Sequence, residues 1–260
     1  MKETEEYNVR AVERALQILN SFDDDHPERG VSEIAEAVGL HKATAHRILT
    51  TLLNYGFIER ASNGSNYKLG VQLLDLGYRV NRQMDVRQEA LPFIKHLGST
   101  FDEAVDLSVF DQGQMLCVEM FQSSHALTIA ASVGKRLPAY CTAGGKLFLA
   151  NLPDEELAEY LHAPLFPMTE FTQIDPELLC KELMTVRENG YAIDEQGLEL
   201  GVRAVATPIY DHRNRIIAAL SIPGPLSRLS IERIQEVIPL LLQTTREISY
   251  RMGFSGKDPV

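Results

Sequence analysis

The chain has 260 residues, with 25 Lys and Arg against 36 Asp and Glu for a formal net charge of −11, and 45% of its residues are hydrophobic. This composition supplies full cores and excludes a disordered or fibrous chain. So acidic a molecule cannot coat nucleic acid nonspecifically, because counterion release needs clustered cations. Its length predicts two domains. No apolar run approaches the roughly 20 residues that span a bilayer, and the opening MKETEEYNVR is polar, so a cytoplasmic location is expected. Cys117, Cys141 and Cys180 form no Cys-x-x-Cys pair, which argues for reduced thiols rather than disulfides or a zinc site.

The first helical pattern runs from Val9 to Phe22, and Val12, Ala15, Leu16 and Leu19 are expected to form its buried face. The acids at 23–25 followed by His26-Pro27 break it. A two-turn helix follows, with Ser32 as expected cap, Ile34, Ala35 and Val38 facing inward, and Gly39 at its end. A third helix begins after Leu40 and buries Ala45, Ile48, Leu49 and Leu52. Two short strands, 57–61 and 66–69, flank Ser62-Asn63-Gly64-Ser65, and Asn-Gly favours a tight hairpin. From Gly70 to Met84 the pattern is helical again, with Leu73, Leu76, Val80 and Met84 on one side.

A further helix, 86–97, leads into strand-like runs at 104–110, 114–121, 127–131, 204–210 and 216–222, with helices near 142–151, 154–161, 175–189 and 230–252. Hairpin-like strand groups with helices packed outside them predict an α+β domain on an antiparallel sheet. The expected boundaries are 1–70 for the first domain, 71–86 for a linker helix and 87–255 for the second domain.

Residues 32–53 have the helix lengths and glycine-containing turn of a helix-turn-helix, and the hairpin after them reads as a wing. Residues 41–70 hold Lys42, Arg47, Arg60 and Lys68 against the single acid Glu59, a local positive stretch in an acidic chain. A recognition helix buries one stripe while polar and cationic side chains near its N-terminus reach a DNA groove. Thr44 and His46 are therefore assigned to base edges or nearby backbone, and Lys42 and Arg47 chiefly to phosphates. Asn63, Ser65 and Lys68 of the wing are expected at the flanking backbone or minor groove. The alternative for this segment is a small domain with a solvated charged face.

The segments RAVERALQIL, VSEIAEAVGLHKATAHRILTTLLNYGFIER and YKLG, then RLPAYCTAGGKLFLA, ENGYAIDEQGLELGVRAVATPIYD and IIAALSIPGP, follow one another at family spacing. In these blocks the chain resembles the IclR family of bacterial transcription regulators over nearly its whole length. The resemblance implies a winged helix-turn-helix, a linker helix used in dimerisation, and a GAF-like effector-binding domain whose small-molecule ligand alters operator binding. It places the effector site within the CTAGGK stretch, on Cys141, Thr142, Ala143 and Gly144, and on Asp194, Val202, Ala204 and Ser221.

A carboxylate approaching the bare start of the helix at Ala143-Gly144-Gly145 would meet free backbone N–H groups, so organic acids are natural ligands. Asp194 is expected to accept a hydrogen bond from a ligand hydroxyl or the backbone, and Ser221 to donate one. Two positions depart from the family pattern: Gln196-Gly197 stand where an acidic pair is frequent, and Ala204 where a cysteine is frequent. A roomier, less polar pocket follows, suited to a larger or partly aromatic acid. Without the resemblance, tight helix packing explains the glycine run and a satisfied strand hydroxyl explains Ser221.

The expected partners are double-stranded operator DNA, a small-molecule effector and a second copy of the chain, as homodimer or dimer of dimers, with no cofactor and no metal. The rival class is a small-molecule-binding enzyme of GAF-like fold with an accessory DNA-binding domain, but no spacing pairs a cysteine with an activating base. A third reading gives the second domain only an assembly role.

Overall fold

A computed structural model describes residues 9–23, 25–62, 64–82, 85–125 and 132–256. The chain divides into two compact units between residues 83 and 84.

The first unit comprises α1 (Arg10–Asn20), α2 (Val31–Ala37), α3 (Lys42–Asn54), the hairpin β1 (Ile58–Arg60) and β2 (Tyr67–Leu69), and α4 (Val71–Arg82). Ile18, Phe22, Ile34, Leu49, Leu52, Ile58 and Tyr67 form its core. Of the expected stripe of α1, Ala15 and Leu19 pack against this core, but Val12 and Leu16 are 56% and 55% exposed while Ile18 is wholly buried. Ile18 and Phe22 are four apart, so they share a helical face and enter the core together beside Ala15 and Leu19. The cap of α2 is also corrected. Gly30 precedes the helix and donates its N–H to Glu33 Oε2 at 2.7 Å, which leaves Ser32 inside the first turn. Gly39 takes a φ of +64° in the turn before α3, a conformation open to glycine at little cost. α3 buries Ala45, Leu49 and Leu52, with Ile48 packed against the core. In the hairpin Ile58 pairs with Leu69 and Arg60 with Tyr67.

The second unit comprises α5 (Asp85–Phe101), β3 (Val105–Asp111), β4 (Gln114–Phe121), β5 (Arg136–Pro138), a 3-10 turn at Ala139–Cys141, α6 (Ala143–Ala150), α7 (Asp154–His162), α8 (Pro176–Asn189), β6 (Ala192–Glu195), β7 (Val202–Tyr210), β8 (Ile216–Pro225) and α9 (Ile231–Arg251). The six strands pair antiparallel in the order β5-β4-β3-β8-β7-β6. Alternation along the strands feeds two cores. Leu107, Val205, Ile209, Ala218, Leu220 and Ile222 face α5 and α9, while Ala206 and Ala219 join α6 and α8 on the other side. β5 and β6 were not expected; at three and four residues they carry too little pattern to stand out. The expected strand at 127–131 lies outside the described residues.

Candidate functional site

Two sites, one in each unit, gather the expected residues. On α3, Lys42, His46 and Arg47 are exposed and Thr44 is half-buried. The helix starts at His41 with no side-chain cap, so its first N–H groups have no intrahelical acceptor. Among the described residues neither Lys42 nor Arg47 has an acidic partner. Lys68 of the wing differs, because Glu59 Oε2 lies 3.8 Å from its Nζ. Ser65 is exposed at the wing turn, and Asn63 lies outside the described residues. Arg60 was not assigned a role. Its guanidinium sits 4.2 Å from the ring centroid of Tyr67, its register partner, and donates to the carbonyls of Gly64 and Ser65 at 3.4 Å. This contact fixes the shape of the wing, and pairing the hairpin strands on paper would have revealed it.

The second unit encloses a cavity of about 410 Å³ between the α6 face of the sheet and the start of α6. Thr142, Ala143, Gly144, Asp194, Val202, Ala204 and Ser221 all line it. Cys141 does not: its thiol donates to the Pro138 carbonyl at 3.6 Å within the core beside α6, and burial pushes its pKa up to about 12. Pro138 and Thr142 on either side of it line the cavity, while Cys141 itself lies within the 3-10 turn. Cys117 does line the cavity, and burial holds its thiol at about 12 as well, so neither is a thiolate at neutral pH.

The start of α6 explains its glycines. Thr142 Oγ1 caps the helix by accepting from Gly145 N at 3.2 Å, leaving the N–H groups of Ala143 and Gly144 as the orphans of the first turn. A methyl at Gly145 would lie 2.2 Å from the Ala139 carbonyl oxygen, so packing alone demands that glycine. At Gly144 a methyl would meet Ala219 Cβ at 3.2 Å and Met115 Cε at 3.4 Å. Gly144 thus lets α6 approach β8 and also borders the cavity.

Asp194 is 2% exposed, and its two oxygens accept from Gly197 N at 2.9 Å and Leu198 N at 3.3 Å. Burial raises its pKa despite the nearby Lys146 and these N–H groups. Its acceptors therefore first order the loop after β6, and a side chain at Gly197 would collide with Oδ1 at 2.6 Å. The same loop is tied to a cover segment, where Thr169 and Thr172 donate to the carbonyls of Gln196 and Gly197 at 2.6 and 2.7 Å and Met168 reaches the cavity.

Among the cavity residues that the expected set lacks are Asp106 and Ser108 on β3. Ser108 donates to Asp106 Oδ1 at 2.7 Å, and burial raises Asp106 to about 6. The signal was available in the alternation of Val105, Leu107 and Val109 with Asp106 and Ser108, a polar stripe in a strand of a sheet packed on both faces. Among the described residues no group of three or more His, Cys, Asp or Glu is placed to hold a metal ion.

Residues 11–62 match the family model of the IclR helix-turn-helix domain, and residues 78–250 match that of the bacterial transcriptional regulator IclR C-terminal region. The chain belongs to the IclR family of bacterial transcriptional regulators. Among IclR-family relatives, the transcriptional regulator XynR of Escherichia coli K12 is 32% identical over 247 residues, covering 95% of this chain and 98% of XynR. KdgR of the same organism is 31% identical over 248 residues, covering 95% of this chain and 94% of its own. The crystal structure of the Thermotoga maritima IclR shares the fold with a TM-score of 0.74 at 29% identity, covering 95% of this chain and all of that one (100%). An IclR homolog from Microbacterium hydrocarbonoxydans, solved in complex with 4-hydroxybenzoate, gives a TM-score of 0.83 at 27% identity, covering 93% of this chain and 98% of its own. The IclR architecture therefore spans both units, and the helix-turn-helix is a DNA-binding element.

Proposed function

We propose that the chain acts in the cytoplasm as a homodimeric regulator whose affinity for operator DNA is set by an organic acid bound in the cavity of the second unit. The observation that carries this reading is the exposed row Lys42, His46 and Arg47 on α3, whose two cations have no acidic partner among the described residues in a chain of net charge −11. Cations left unneutralised in an acidic molecule are suited to phosphates, and the uncapped start of the same helix adds N–H groups for the same purpose. Two such helices in a symmetric dimer address the half-sites of an imperfect palindrome. The resemblance supports effector contacts at Thr142, Ala143, Gly144, Asp194, Val202, Ala204 and Ser221, and the orphan N–H groups of Ala143 and Gly144 suit a carboxylate. The relative with 4-hydroxybenzoate supports an aromatic acid as a candidate class. A coupling of only about 1 to 3 kcal/mol between the two sites suffices for control of an operon, for which catabolic genes are the natural target.

The test is a fluorescence-anisotropy titration of operator DNA with the full chain, with and without a panel of small organic acids. At least one acid should shift the midpoint about fivefold or more. A midpoint that no acid moves, alongside thermal transitions that no acid raises, would contradict the effector role.

A further inference from the structure

Of the cavity carboxylates shielded from solvent, Asp106 is the one that neither a backbone N–H nor a basic side chain serves among the described residues. Asp194 is occupied by the N–H groups of Gly197 and Leu198, and Glu199 is exposed at the rim. Arg136 of the lining pairs with Asp111 at 2.5 Å. Asp106 has only hydroxyls: Ser108 donates to it at 2.7 Å, and Ser221, opposite it in register on β8, is the other group that favours its charged form. Cys117 of the adjacent strand lies near enough for the Asp106 charge to push its thiol further up, and Ala219 and Met115 continue the apolar wall of the cavity. A carboxylate held in such a place is costly unless something in the cavity donates to it.

Its position relative to the helix start is set by register. Gly144 stands over Ala219, and Ser221 is two residues farther along β8 with Asp106 on the next strand. Two residues along a strand and one strand across amount to roughly 8 Å. A molecule whose carboxylate sits at the Ala143–Gly144 amides therefore presents its far end, about one aromatic ring away, to Asp106 and the two serine hydroxyls.

Resting on the reading of this cavity as the effector site, we infer that Asp106 selects the effector, accepting a hydrogen bond from a hydroxyl at the end of an organic acid opposite its carboxylate. An acid lacking that hydroxyl brings apolar surface or a second anion against a carboxylate that two serine hydroxyls alone serve. Discrimination then comes as much from the penalty on the wrong ligand as from the contact with the right one. Ser108 and Ser221 complete the polar end, each able to donate to Asp106 and accept from the ligand.

The experiment uses matched pairs, 4-hydroxybenzoate against benzoate and 4-hydroxyphenylacetate against phenylacetate, titrated calorimetrically into the full chain and into Asp106→Ala. In the unmodified chain the hydroxylated member of at least one pair should bind roughly ten- to a hundredfold more tightly, as expected for a hydrogen bond to a charged acceptor. In Asp106→Ala that ratio should fall to within about threefold while the plain acid binds as well or better, an effect that a merely structural role for Asp106 would not produce. Equal binding of both members by the unmodified chain, or a ratio that survives in Asp106→Ala, overturns the assignment of Asp106 and leaves the effector site standing. Binding of neither member of either pair, together with an acid response to none of them in the operator titration, overturns both.

Discussion

The adjacent glycines of α6 allow packing and ligand access to be separated by one methyl group each. At Gly145 the added methyl would lie 2.2 Å from the Ala139 oxygen and 2.4 Å from its Cα, both backbone atoms that cannot rotate away. Overpacking of this kind costs about 1 to 3 kcal/mol, and a rigid obstacle puts it at the upper end; the helix propensity gained from alanine returns about 1. Gly145→Ala should therefore lose about 2 kcal/mol net, which for units of this size lowers the melting temperature by roughly 4 to 8 °C. At Gly144 the nearest atoms are 3.2 and 3.4 Å away, and one is the mobile end of Met115. There the propensity gain offsets the crowding, so Gly144→Ala should melt within about 2 °C of the unmodified chain. Its methyl nevertheless stands where α6 borders the cavity, and a saturating acid should stabilise it by much less than the roughly 2.7 kcal/mol expected at 100 times the dissociation constant. Differential scanning calorimetry with and without 4-hydroxybenzoate measures both effects. A Gly145→Ala chain as stable as the original, or a Gly144→Ala chain with undiminished ligand stabilisation, would refute the division of roles.

Other expectations follow from the same geometry. Arg47→Ala and Lys42→Ala should each weaken operator binding and reduce the slope of log affinity against log salt by about one, with melting unchanged; Lys68→Ala should do less, because Glu59 already sits beside it. Asp106 has its folded pKa raised from 3.8 to about 6, so its contribution to stability is full below about pH 4 and is lost as pH rises through 6. Asp106→Asn should consequently melt higher than the unmodified chain at pH 7.5, by an amount of order 2 kcal/mol, and lose that advantage near pH 4; a pH-independent difference would remove this titration from the account. Asp194→Ala should cost about 1 to 3 kcal/mol by leaving the Gly197 and Leu198 amides without acceptors, readable as a lower urea midpoint.

Periodicity exposed the long elements of this fold because their apolar stripes are decided by burial, and α3 and α9 follow it closely. On α1 the expected stripe held at Ala15 and Leu19, but only the packing partners could show that Ile18 and Phe22 enter the core rather than Val12 and Leu16. Ser32 met the chemical requirement for a cap, but Glu33 reaching back to the Gly30 N–H began the helix two residues earlier than a serine cap allows. At the cavity, family spacing indicated its helix start and the strands β6 to β8. It said nothing of Asp106, whose place depends on β3 lying next to β8, a pairing between residues more than 100 positions apart. Cys141 illustrates the converse, since Pro138 and Thr142 on either side of it line the cavity while its thiol, within the 3-10 turn, donates to the Pro138 carbonyl in the core.

The central claim is that α3 reads DNA through its exposed cations, and selection from a random duplex library tests it whatever the operator sequence is. The unmodified full chain should enrich an imperfect palindrome with half-sites about one helical turn apart, and a chain carrying both Lys42→Ala and Arg47→Ala should lose that enrichment while melting normally. Enrichment of the same sequence with equal affinity by the doubly substituted chain would contradict the account.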